Sequence, residues 1–98
     1  MPFAHSYHFE LLKNESEAIV LHELEVQLDA LDREICRCDE CVMDMAAMAL
    51  NTVKPMYRYS LLGQMYAAQA MSEQTYADSV QEAVANAIVK VSDNPGHE

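Results

Sequence analysis

Three cysteines fall within six residues, Cys36-Arg37-Cys38-Asp39-Glu40-Cys41, and an apolar helical pattern runs on from them to Asn51. That spacing constrains the backbone. Two cysteines separated by one residue project to opposite sides of an extended chain, so their sulfurs meet only if the chain curls. A metal is one reason to curl. Zinc takes four ligands in a tetrahedron, with sulfur or histidine nitrogen preferred. Cys36, Cys38 and Cys41 can reach one ion and leave a fourth place, for which His22, His5, His8, Asp44, a water or a partner chain are candidates. Spacing alone also leaves open unmetallated thiols and a redox or disulfide role. A helix starting here, with Arg37 beside it, would favour thiolates.

The rest of the chain reads as helix. Only five positions are Gly or Pro, and hydrophobic residues make up 51% of the 98. This argues against disorder and against a turn-rich β protein. The expected fold is all-α, with one short extended segment near residues 56–59. The length fits one domain, divided as an N-terminal segment over 1–13, a helical domain over 14–93 and a loose tail over 94–98. Asn14, with Glu17 three residues later, predicts a capped helix over 14–32. Its stripe is Val20 (or Leu21), Leu24, Leu28 and Leu31. Asp39 is the expected cap of a second helix, about 40–52, with Val42, Met45, Ala46, Ala49, Leu50 and Val53 on its apolar face. On a separate line stand Cys41, Asp44, Met48 and Asn51. Buried polar groups need partners, so Asp44 and Asn51 are expected to bond to loop backbone, a helix end or a ligand. Pro55 ends this helix. Met56-Tyr57-Arg58-Tyr59 alternates like a short strand or linker, Gly63 marks a turn, and a short helix is expected over 64–71. Ser72 is the expected cap of a last helix, about 73–92, with Tyr76, Val80, Ala83 (or Val84), Ala87 (or Ile88) and Val91 inward.

Charge and motifs narrow the function. Sixteen acids against six basic residues give a net charge of −10, which repels a phosphate backbone and argues against duplex DNA. No apolar run approaches ~20 residues, so no membrane span is expected. The N-terminus does not resemble a signal peptide, and the cytoplasm is the default. There is no Gly-rich phosphate loop and no constellation of nucleophile and base, so no enzyme is expected. Tyr57-Arg58-Tyr59 places an arginine between two aromatic rings, a combination that can stack on a purine and reach a phosphate. Met- and Ala-rich helix faces also suit a protein partner.

Taken together, Cys36-x-Cys38-x-x-Cys41-x-x-Asp44, then Ala47-x-x-Leu50-Asn51, then Pro55-x-Tyr57 resemble the late competence development protein ComFB family. Asn14-x-x-Glu17-x-x-Val20 and Gly63-x-x-Tyr66 agree with that pattern. The resemblance implies a small, mostly helical homodimer whose cysteine cluster, here Cys36, Cys38 and Cys41, binds zinc. It further implies a regulatory or adaptor protein, since some relatives are receptors for a cyclic dinucleotide such as c-di-GMP, with links to competence or motility signalling. In such relatives a basic residue commonly follows the Leu-Asn pair. Thr52 stands there in this chain, so Lys54, Tyr57 and Arg58, backed by Arg33 and Arg37, are the expected ligand contacts. The alternative is a purely structural module that binds a partner helix.

Overall fold

A computed structural model describes residues 2–96. Met1 of the expected N-terminal segment, and His97 and Glu98 of the expected tail, lie outside the described residues. The elements in order are α1 (Phe3–Ser6), a 3-10 turn (Phe9–Leu11), β1 (Lys13–Asn14), α2 (Ser16–Ala30), α3 (Asp39–Thr52), β2 (Tyr57–Arg58), α4 (Leu61–Met71) and α5 (Gln74–Asp93). The fold is mostly helical, as the composition requires. Among the described residues no helix is long and apolar enough to cross a membrane.

The core lies where α2, α3 and α5 meet. Val20, Leu24 and Leu28 come from α2, Met45, Ala46 and Ala49 from α3, and Tyr76, Val80, Val84, Ala87, Ile88 and Val91 from α5. These are the three- and four-residue steps that put side chains on one helix face. Where the sequence offered two choices, the structure takes Val20 over the exposed Leu21 and Val84 over the half-buried Ala83, while Ala87 and Ile88 are both buried. The alanines of α3 let α5 approach closely. α5 runs antiparallel to α3, so Lys90 and Val91 lie near Asp44, whereas the N-terminal end of α5 lies near Thr52. Tyr76 at that end donates its hydroxyl to the Lys54 carbonyl at 3.3 Å.

Residues 57–58 do form a strand. It pairs antiparallel with β1, Lys13 opposite Arg58 and Asn14 opposite Tyr57. This pairing moves Asn14 out of its expected role. Glu15 occupies the cap position of α2 and makes no side-chain cap bond. Asn14 Oδ1 instead accepts three bonds, from the Ser16 amide at 3.2 Å, the Ser16 hydroxyl at 2.8 Å and the Met56 amide at 2.8 Å. One oxygen thus holds the start of α2 and the chain after α3. An ion pair between Arg58 and Glu15 closes the same junction.

Asn14→Ala leaves those donors without their acceptor, and two of them belong to a fully buried serine. The expected loss is about 1–3 kcal/mol, or roughly 4–8 °C of Tm per kcal/mol for a domain of this size. All three partners are donors, so Asn14→Asp should keep nearly full stability. Urea melts of the two variants test this; equal losses in both would show that the amide, and not the accepting oxygen, matters.

Three boundaries differ from the sequence expectation. Cys38, not Asp39, caps α3, its Sγ accepting from the Cys41 amide at 3.5 Å. α4 starts at Leu61, capped by Ser60 Oγ on the Gly63 amide at 3.2 Å, so Gly63 sits in its first turn and not in a loop. Ser72 closes α4 and Glu73 opens α5.

Candidate metal centre

The loop from Leu31 to Cys38 connects α2 to α3. Arg37 fastens it, donating from Nη2 to the carbonyl of Leu28 at 2.6 Å. That carbonyl belongs to the last turn of α2, where it also accepts from the Leu31 amide at 3.3 Å and where a cation is favoured. With Arg37 turned back onto α2, the residues on either side of it face the start of α3. The sulfurs of Cys36, Cys38 and Cys41 lie within 4.8 Å of one another. Cys41 is buried in the core, while Cys36 and Cys38 are exposed. The trio therefore straddles the surface, with one sulfur anchored and two at the rim.

This cluster could hold a metal ion. Thiolates bind zinc at ~2.3 Å, which places the sulfurs of a tetrahedral site ~3.8 Å apart. The three sulfurs need shifts on the order of 1 Å or less to meet that geometry. Among the described residues no histidine nitrogen or carboxylate oxygen joins them. His8 is engaged elsewhere, with Nδ1 3.2 Å from Glu10 Oε1.

Without a cation the Cys41 thiol resists ionisation. Burial pushes the Cys41 thiol up from 9.0 to about 12, and hydrogen bonds and charge from Cys36 and Cys38 push in the same direction. This is opposite to the depressed pKa of a reactive nucleophilic thiol. A divalent cation held there would reverse the balance, because it would stabilise the thiolates of Cys36, Cys38 and Cys41 together.

The expected ligand contacts fall into two groups. Arg33 and Arg37 stand at the cysteine end of α3, and Lys54, Tyr57 and Arg58 follow its other end. A 14-residue helix separates them, a span of about 20 Å. Arg33 Nη2 donates to Ser92 Oγ at 3.2 Å, Arg37 holds Leu28, and Arg58 pairs with Glu15. Lys54 and Tyr57 are exposed. Asp44 and Asn51, expected as buried polar groups, are exposed on α3. They line an open groove with Thr52, Lys90, Asn94 and Gly96. The stripe through Cys41 turns outward because Met45, Ala46 and Ala49 take the core-facing positions. The groove was not legible in the sequence, since it depends on the return of α5 past α3.

The late competence development protein ComFB family pattern matches residues 13–95. No curated protein matches the chain. Among solved structures, the chain is similar to the late competence protein ComFB from Bacillus subtilis, at 25% identity and a TM-score of 0.65, over 87% of this chain and 94% of that one. The matched stretch takes in the cysteine corner, both strands and every helix from α2 to α5. With most of its length matched in pattern and its fold shared, the chain belongs to the late competence development protein ComFB family.

Proposed function

We propose that this chain is a non-enzymatic regulatory protein of the competence type that holds zinc at Cys36, Cys38 and Cys41 and acts as a cytoplasmic homodimer. The observation that carries the metal reading is the convergence of three sulfurs at the start of α3. Family membership supports the regulatory reading. Zinc, when bound, supplies a cross-link between the loop and α3. The residues do the rest: Cys41 anchors the site in the core, Cys38 also caps the helix, and Arg37 holds the loop against α2. The burial of Cys41 and the upward displacement of its thiol argue against that residue as a nucleophile.

The signal proposed for such a protein is a cyclic dinucleotide. Exposed Lys54 and Tyr57, beside Arg58, support a phosphate and base contact there. Elemental analysis of purified protein tests the metal, with one zinc per chain expected; a folded, metal-free protein would sink that part. Calorimetry with cyclic di-GMP tests the signal. Saturable heat that weakens about tenfold or more in Lys54→Ala is the expected result, and no heat at high micromolar ligand would remove it.

A further inference from the structure

The described chain is too extended for its length. Its radius of gyration is 15.8 Å, with extents of 47 × 36 × 17 Å. A compact domain of this size has about 13 Å. The excess comes from α4 and the N-terminal segment, which stand off the three-helix core. α4 has eleven residues, of which only Ala67 is buried. An isolated helix of this length is marginal in water, and within the chain α4 leans mainly on β2 and α5, which leaves most of its surface uncovered.

What α4 exposes is apolar. Leu61, Leu62, Met65 and Tyr66 are 61–73% exposed. They lie at steps of one and four, a single stripe along the helix. Tyr59, just before the Ser60 cap, joins this stripe to a pocket lined by Phe3, Tyr7, Phe9 and Leu12. The rings of Phe3, Tyr7 and Phe9 pack on one another at 5.1–5.8 Å. The joined face offers on the order of 1,000 Å², above the ~800 Å² per partner of a stable interface.

Charge selects the occupant. The chain carries −10, yet the sequence of α4, LLGQMYAAQAM, contains no ionisable group except the Tyr66 phenol. Two copies can meet here without setting acids against acids. A different protein would be drawn to the acidic faces, and α4 gives it no charge to read. Depletion of charge with enrichment in Tyr, Phe and Met marks the cores of homodimer interfaces. A single stripe on one helix also suits a twofold axis, where the same patch serves both partners.

We infer that the α4 stripe, extended by Tyr59 and the N-terminal aromatic cluster, is the face on which a second copy of this chain seats. The inference rests on the homodimer reading above and names its surface. α4 of each copy lies against the other, and the pair buries Leu62, Met65 and Tyr66.

Sedimentation velocity over a concentration series tests it on the full chain, its Leu62→Glu/Met65→Glu variant and Met43→Glu. Met43 is a methionine of similar exposure on α3, at 68% against 61% for Met65. The expected result is a dimer for wild type and Met43→Glu, and dimerisation weaker by about 100-fold or more in the double variant, since like charges are forced together. A wild type that stays monomeric would defeat the homodimer reading itself. A dimeric wild type with a dimeric double variant would overturn only the assigned face, as would loss of the dimer in Met43→Glu. Should the double variant fail to fold, hydrogen exchange on wild type decides. Amides of 61–71 gain protection as concentration rises through the dimer transition, and equal protection at all concentrations would overturn the proposal.

Discussion

Met45→Ala is expected to destabilise the protein by about 2–5 kcal/mol, while Met43→Ala two residues away changes stability by less than about 0.5 kcal/mol. Both side chains stand on α3. Met45 is 0% exposed and belongs to the core shared by the three long helices, whereas Met43 projects into solvent. Truncating Met45 removes buried methylene and sulfur contacts and leaves a cavity among Val20, Val84 and their neighbours, which sit on three different helices and close only partly. A 98-residue domain holds about 5–15 kcal/mol in total, so the first variant loses a large share of it. Roughly 10–30 °C of Tm should disappear, by the usual scaling for small domains. Parallel thermal melts of the two variants check this. Similar melting points would show that α3 is not packed as described.

The same pair shows how far the sequence could be read. Met45 was legible as core because it shares a three-to-four-residue period with Ala46, Ala49 and Val53, and periodicity is local information. The stripes of α2 and α5 were legible on the same ground. Boundaries were not, because a side chain that can cap one helix can equally close another. Ser72 has a capping hydroxyl, yet that hydroxyl donates back to the Gln69 carbonyl at 2.6 Å and ends α4. Asn14 has a capping amide, yet that amide reaches Met56, 42 residues away. No local signal announces such a bond. Asp44 and Asn51 failed for a third reason. Their line on α3 follows from helical spacing, but whether a line faces core or solvent depends on where α5 returns. The cysteine corner was the most legible part of the candidate site, because residues within six positions cannot separate far.

That corner also yields the sharpest separation of two roles in one residue, since Cys38 both caps α3 and stands in the trio that could hold a metal. Serine is a better cap than cysteine and a poor zinc ligand, so Cys38→Ser divides the roles. Removing the metal from the zinc-loaded wild type with a chelator should lower stability by an amount set by linkage, about 4 kcal/mol if zinc stands at a thousand times its dissociation constant. The loss should fall short of unfolding, because Val20, Leu24, Met45 and Val84 form a core that does not depend on the cysteine loop. In this it differs from a zinc finger, whose whole fold rests on the ion. The order lost should be confined to residues 31–41, visible as faster hydrogen exchange there while α5 keeps its protection. Cys38→Ser should bind zinc at least about 100-fold more weakly, because losing a ligand exceeds the cost of losing a ligand's outer support. Yet its metal-free form should be as stable as metal-free wild type to within about 1 kcal/mol, the cap being retained. Cys41→Ala removes a ligand and a buried side chain together, so it should lose both zinc and some stability of the metal-free form. If chelation leaves the wild-type melt unchanged, or if Cys38→Ser retains full zinc, the corner is held by its caps and by Arg37 alone, and the metal has no part in the fold.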